Sequence, residues 1–367
     1  MKKILLIKPI GKNKEITGGS HVNNAIQEII IQIFGYENVT VCELEYYSSN
    51  FFTFLNSMLG FCDGLTSRKL LSIKKQSIGY DFVFIMSIKL GKVFKCIKGK
   101  KTIVFAHNFE RDFVRQYINK MSWRRFLSHL PLLYATIYNE KIALKEADYF
   151  CTLNLRDSNL YLKYLKRNAD ILLPISFTDK FNKIKYEKYS EEIIEPYILF
   201  IGSDFFGNTE GVFWFIEKVL DFIDIKLIVC GSGMDKYEKK YHSKKVSFLG
   251  YVADLSKLYY QATAIVLPIF SGGGMKTKTA EALMYGKTIF GTIEAFEGYD
   301  LEYDKVGGLC INENDFINKL NNYLHNKNEK INTYSREVFK QKYEITKNIE
   351  QLEELLNDTG RYSEDNL

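Results

Sequence analysis

Residues 271–292, SGGGMKTKTAEALMYGKTIFGT, run three glycines into a short cationic turn, then a small-residue helix, then a strand. The apolar run Ala264–Pro268 stands directly before them. The glycines therefore fall at the carboxyl end of a strand and lead into a helix N-terminus, the strand–loop–helix unit of a doubly wound sheet. A first helical turn has unpaired N–H groups and a partial positive charge. Glycine lets a backbone approach an anion closely, Thr277 and Thr279 offer hydroxyls, and Lys276 and Lys278 add full charges. A phosphate or diphosphate is the occupant this chemistry suits. The bland alternative is a tight turn carrying two solvated lysines. The stretch is not a P-loop, because GxxxxGK[ST] is absent, and neither half of the chain has GxGxxG after its first strand. Glu281, in the same helix, could accept two hydroxyls as ribose recognition requires. It could equally be an acidic residue favoured by the helix dipole.

The same alternation extends in both directions. Upstream of the glycines come strand Tyr197–Gly202, helix Asn208–Leu220, strands Lys226–Cys230 and Val246–Leu249, and helix Leu255–Gln261. Downstream, helix Lys276–Tyr285 and strand Thr288–Gly291 complete the block. The first half repeats the pattern. Strands are expected at Ile4–Ile7, Val39–Leu44, Phe82–Ile88, Thr102–Phe105, Tyr149–Leu153 and Ile171–Ile175, with an amphipathic helix over Asn23–Phe34. Residues 176–196 are polar, lack a sustained apolar face and read as a linker. Two βαβ blocks in tandem imply an α/β protein of two Rossmann-like, doubly wound domains facing a cleft. The boundaries expected are 1–175, linker 176–196, and 197–342, with a terminal helix near 343–360 that packs back on the first domain.

A chain of 367 residues, 46% hydrophobic and 26% charged, fits two globular domains at roughly 150 residues each. No window reaches the ~18 consecutive apolar residues of a spanning helix. The start, MKKILLIKPIGKNKE, has too short an apolar core for a signal peptide and reads as a first strand. Cys42, Cys62, Cys96, Cys151, Cys230 and Cys310 stand singly, which argues for reduced thiols in a cytoplasmic protein and against a zinc site. The net charge of +6 is uneven. Residues 68–125 hold 15 basic and 3 acidic side chains, so this segment alone carries +12. Such density favours an anionic partner. The helical stretch Trp123–Ile137 beside it could rest on an anionic bilayer, at the inner face of the plasma membrane, or be a plain buried helix. High Lys, Ile, Asn and Tyr with five prolines suits an AT-rich bacterial source.

From about residue 197 to 300 the chain resembles the GT-B glycosyltransferases of the large retaining group often called family 4, in its bacterial surface-polysaccharide members. The resemblance rests on YILFIGSDFFGNTEGVFWFIEKVL, KLIVCGSG and VSFLGYVADLSKLYYQATAIVLPIFSGGGMKTKTAEALMYGKTIFGTIEAFEGYD, in that order. It implies a GT-B fold whose second half binds a nucleoside-diphosphate sugar. Glu281 then matches the second glutamate of a Glu-x7-Glu signature and contacts the ribose. Gly272, Gly273, Gly274, Met275, Thr277 and Thr279 receive the diphosphate, and Gly250, Tyr251 and Val252 read the base. The first signature glutamate is replaced by Gly273. The usual Arg and Lys after the first strand of this domain are also absent, Ser203 and Glu210 standing nearby. Lys276 and Lys278 are the cations expected to substitute. In the first half, Thr17–His21 (TGGSH) resembles a glycine loop that approaches the donor phosphate through Gly18 and Gly19. His107, after strand Thr102–Phe105, is expected near the transferring sugar, with Asn108, Glu110 and His21 on the acceptor side. His129, His242 and His325 carry no such expectation.

The activity this implies is hexosyl transfer from the donor to a hydroxyl of a glycan or lipid-linked glycan, with retention, without metal or other cofactor and without nucleic acid. A UDP-sugar epimerase of the same fold and a non-catalytic GT-B partner protein are the alternatives. A nicotinamide dehydrogenase is disfavoured by the missing GxGxxG.

Overall fold

The computed structural model describes residues 2–11, 18–46, 50–97, 100–192, 194–241, 245–326 and 330–361. Thr17 and His242, and Lys98 within the basic segment, lie outside the described residues. The chain forms two compact units, each built on a six-stranded parallel sheet.

The first unit comprises residues 1–176 and 345–367, and Gly273–Met275 group with it. Its strands are β1 (Ile4–Ile10), β2 (Val39–Glu45), β3 (Phe82–Ile85), β4 (Lys101–Ala106), β5 (Tyr149–Thr152) and β6 (Ile171–Leu172), in the order β2-β1-β3-β4-β5-β6. Every pairing is parallel. Strands covered on both faces read as continuous apolar runs, which is why ILLI and FVFI are fully buried. The sheet order reverses between β1 and β3, so ligand-facing loops gather at the carboxyl ends of these strands. Leu5, Ile7, Val83, Ile85, Val104 and Phe150 anchor the core. Helix Ile345–Arg361 belongs to this unit and packs on helix Gly18–Phe34. Asn348 Nδ2 donates to the Pro174 carbonyl at 2.7 Å and to Ser176 Oγ at 2.8 Å.

The second unit comprises residues 177–272 and 276–344. Its strands are β7 (Tyr197–Ile201), β8 (Lys226–Cys230), β9 (Val246–Leu249), β10 (Ala264–Leu267), β11 (Ile289–Gly291) and β12 (Gly307–Leu309), ordered β12-β11-β10-β7-β8-β9. Ile198, Phe200, Val212, Phe215, Val229 and Val266 lie in its core.

The structure differs from the sequence expectations in several places, among them strand Ile171–Ile175, which ends at Leu172, and helix Asn23–Phe34, which starts at Gly18. The expected strand Phe82–Ile88 ends at Ile85, and a 3₁₀ segment, Ile88–Lys95, follows. Strand β12 was not expected. Helices Asn50–Met58 and Ser67–Gln76 were not expected either. The stretch read as linker holds a helix, Lys183–Ser190, started by Asn182, whose side chain accepts from the Lys185 N–H. Among the described residues no helix is long and apolar enough to cross a membrane.

Candidate functional site: a glycine loop and a half-charged lysine

In the second unit, β10 ends at Leu267 and the glycine loop carries the chain to helix Thr277–Met284. The loop needs its glycines. Gly272 (φ +137) and Gly274 (φ +58) occupy backbone conformations that L side chains disfavour. Gly274 also lies too close to the His107 carbonyl, in the first unit with which it groups, to admit a Cβ. Met275 is buried.

Lys276 occupies the N-cap position of the helix, and no side chain caps the helix there. Its ammonium pairs with Glu294 at 2.7 Å, both side chains being largely buried, and its carbonyl accepts from Tyr299 Oη at 2.7 Å. Lys278, two residues along, donates to Asn208 Oδ1 at 2.5 Å and stands over the Phe200 ring at 5.0 Å. Burial pushes its pKa down to about 7, and the charge of Lys276 adds to the effect. The two lysines thus differ: Lys276 has a carboxylate counter-ion, whereas Lys278 has a neutral amide and an aromatic face.

Thr277, the first residue of the helix, is half-buried. Thr279 is corrected by the structure. Fully buried, it donates its hydroxyl to the Ala295 carbonyl at 2.7 Å, pinning the helix to the loop after β11. That hydroxyl is therefore not available to a ligand. Glu281 accepts from Tyr259 Oη at 3.0 Å, and Tyr259 stacks on Tyr285. Its carboxylate is held in one place, partly exposed, on the helix that begins at the glycine loop. After β9, Tyr251 is 64% exposed, and the Gly250 carbonyl accepts from the Gly231 N–H at 3.2 Å. Val252 follows, half-buried. These residues share one sheet edge because β7, β8, β9 and β10 all run parallel and end on the same side.

In the first unit, Gly18 and Gly19 open helix Gly18–Phe34 instead of forming a loop ahead of it, and His21 lies in that first turn, half-exposed. His107 follows β4. Its Nε2 is buried with no hydrogen-bond partner, and burial reinforced by Lys89 pushes its pKa down to about 4, so the ring is neutral at pH 7. Around it lies a cluster that sequence reading did not assemble. Lys89 Nζ sits 2.9 Å from Asp63 and 3.5 Å from Glu110. Ser87 Oγ donates to Asp63 at 2.5 Å, and Asn108 Nδ2 donates to Glu110 at 3.1 Å. Burial would lower the Lys89 pKa, but Asp63 and Glu110 hold it well above the usual value. Burial raises Glu110 above the ordinary carboxylate range. Asp63 adopts φ +50, a strained conformation for a residue with a side chain. Glu110 and Asn108 were expected here. Asp63 and Lys89 carry no motif, and the one hint was their place after an apolar run. The remaining His129 lies in the helix Trp123–Glu146 and His325 ends the helix Glu313–His325.

Residues 195–326 match the family model described as glycosyl transferases group 1. That stretch, about a third of the chain, is similar to group 1 glycosyltransferases. The whole chain takes up the GT-B fold of solved glycosyltransferases. HepE from Anabaena, solved with UDP and glucose, superposes with a TM-score of 0.70 at 15% identity, over 98% of this chain and 100% of HepE. Sucrose-phosphate synthase from Thermosynechococcus elongatus gives 0.73 at 14% identity, over 99% and 100%. WaaG, a glycosyltransferase involved in lipopolysaccharide biosynthesis, gives 0.65 at 14%, over 95% and 98%. No curated protein matches the sequence. The glycosyltransferase domain match covers the glycine loop, Lys276, Lys278, Glu281 and Gly250–Val252.

Proposed function

We propose that the protein transfers a hexose from a nucleoside-diphosphate sugar to a hydroxyl of a glycan or lipid-linked glycan, with retention, in bacterial surface-polysaccharide synthesis. The observation that carries this reading is the helix start at Lys276–Lys278, inside the stretch similar to group 1 glycosyltransferases, with Glu281 fixed one turn further on. HepE, which shares the fold, is solved with UDP and with UDP-glucose. A departing diphosphate needs positive charge aimed at it. Here the uncapped helix N-terminus, the glycine-loop amides and Lys278 supply that charge, so the reading requires no metal. Glu281 accepts the ribose hydroxyls, and the backbone at Gly250–Val252 reads the base. In the first unit, neutral His107 orients the transferred sugar through its unpartnered Nε2, while Asn108, Glu110 and His21 line the acceptor side. The basic segment 68–125 brings the cytoplasmic enzyme to an anionic membrane surface.

Thermal-shift measurements against UDP, GDP, dTDP and CMP test the donor site, since a ligand that binds only the folded state raises the melting temperature. One diphosphate is expected to shift the transition by several degrees. Lys278→Ala should weaken its binding roughly ten- to hundredfold, the worth of a charge-assisted hydrogen bond. Unchanged affinity in that variant refutes the phosphate assignment. Turnover of the matching sugar nucleotide without any acceptor would point to epimerisation instead of transfer.

A further inference from the structure

Two helices of the first unit leave their large apolar side chains uncovered. From Asn50 through Cys62 the chain carries no charge. Phe51, Phe52, Leu55, Met58 and Leu59 are exposed there. On helix Trp123–Glu146, Trp123, Leu127, Leu130 and Tyr134 are exposed, and their spacing of four, three and four places them on one helical face. The two helices pack together. A groove of about 310 Å³ opens beside them, lined by Phe51, Phe54, Ser57, His129 and Leu132 among others. Eight of the 26 large apolar side chains exposed among the described residues lie on these two helices, and Leu59 directly follows the first. Scattered exposed apolar residues need no explanation, but a contiguous set marks a contact surface.

Charge identifies what covers it. Lys120, Arg124 and Arg125 stand at the start of the second helix, and no Asp or Glu occurs from Lys120 to Asn139. The Arg124 guanidinium lies 5.4 Å from the Trp123 ring. Lys92 stands 4.0 Å over Phe61 and donates to the Leu59 carbonyl, and exposed Lys95 donates to Tyr138 Oη at 2.8 Å. Cations therefore adjoin the apolar residues of both helices, with Trp and Tyr among those residues. Apolar residues beside Lys and Arg, with Trp and Tyr at headgroup level, are the composition of an interfacial surface.

We propose that helices Asn50–Met58 and Trp123–Glu146 together dock this protein on an anionic phospholipid surface. Their apolar side chains enter the boundary between headgroups and acyl chains, and Lys92, Lys95, Arg124 and Arg125 meet lipid phosphates. This rests on the membrane part of the proposed function and gives it a specific surface. The test is co-sedimentation of the full chain with vesicles of phosphatidylglycerol mixed with phosphatidylcholine, against vesicles of phosphatidylcholine alone. Wild type should pellet with the anionic vesicles and lose binding as salt is raised. Arg124→Glu with Arg125→Glu should lower the partition coefficient at least about thirtyfold. Phe51→Ser with Trp123→Ser, at sites already exposed, should lower it comparably while circular dichroism stays unchanged. Equal partition of wild type and both variants, or no preference for anionic vesicles, overturns the proposal. So does a dimer in light scattering that the Phe51 and Trp123 substitutions dissociate, which would mean that a second copy covers this face. The melting shifts by UDP, GDP, dTDP and CMP are read alongside. Lost docking with an intact shift overturns the surface alone, and the converse overturns the donor reading alone.

Discussion

A lysine with a pKa near 7 is half-protonated at neutral pH, so in the free protein Lys278 holds only part of its charge. A bound diphosphate favours the ammonium and raises that pKa, which couples binding to proton uptake. Between about pH 7 and 9 the free protein must gain a proton to bind. Affinity for the nucleoside diphosphate that the thermal screen selects should then fall by up to about tenfold per pH unit, and Lys278→Met should flatten the profile. Isothermal titration in buffers of different ionisation heat measures the proton directly. Lys89 presents the opposite situation, a buried cation between two buried carboxylates. Lys89→Met leaves Asp63 and Glu110 uncompensated and should cost about 3–5 kcal/mol in urea unfolding. In that variant Glu110, already raised by burial, loses the cation that lowers it, so its folded pKa stands further above its unfolded one. Stability is then lost as pH rises through the carboxylate range, so the deficit should shrink at acid pH. Sequence reading singles out Lys278, because a lysine in the first turn after a glycine loop has a chemical meaning by position alone. It could not find Asp63 and Lys89. They come from different connections, 26 positions apart, and only the parallel pairing of β3 with β4 brings Lys89 to Glu110.

Helix Phe206–Lys218 shows how one element positions another. Gly211 stands so close to the Pro268 carbonyl that no Cβ fits. The helix therefore packs against the backbone where the glycine loop begins, and its Asn208 reaches Lys278. Alanine is the better helix former, by about 1 kcal/mol. Gly211→Ala should nevertheless destabilise, by about 1–3 kcal/mol from overpacking. Gly79→Ala, where no heavy atom lies within 4 Å, should stay within about 0.5 kcal/mol in the same urea series. Strands covered on both faces were readable because such strands are apolar throughout. Strand β12, Gly-Gly-Leu, was not, since two glycines in three residues carry no pattern and the pairing with β11 alone makes it a strand. Helix Lys183–Ser190 escaped for a similar reason. It buries no residue, so no apolar face betrays it.

Helix Ile345–Arg361 closes the chain onto the first unit and buries Ile345, Leu352 and Leu356 there. Removing residues 345–367 should expose apolar surface worth about 1.5–3 kcal/mol for each of these side chains. Hydrogen exchange is expected to quicken in Ile4–Ile10 and Gly18–Phe34 while Tyr197–Gly291 keeps its protection. Uniform loss across both units would contradict that. The order of apolar runs, the glycine loop with its lysines and the absence of GxGxxG were determined along the chain, because burial on two faces and backbone freedom are written in local composition. The tertiary structure decided which charges meet. It gave Lys276 a carboxylate and Lys278 an amide, turned the Thr279 hydroxyl inward, and set Lys89 between Asp63 and Glu110. Charge pairing depends on distance in space, and in a doubly wound sheet that distance is fixed by which strands lie side by side, not by their order in the sequence.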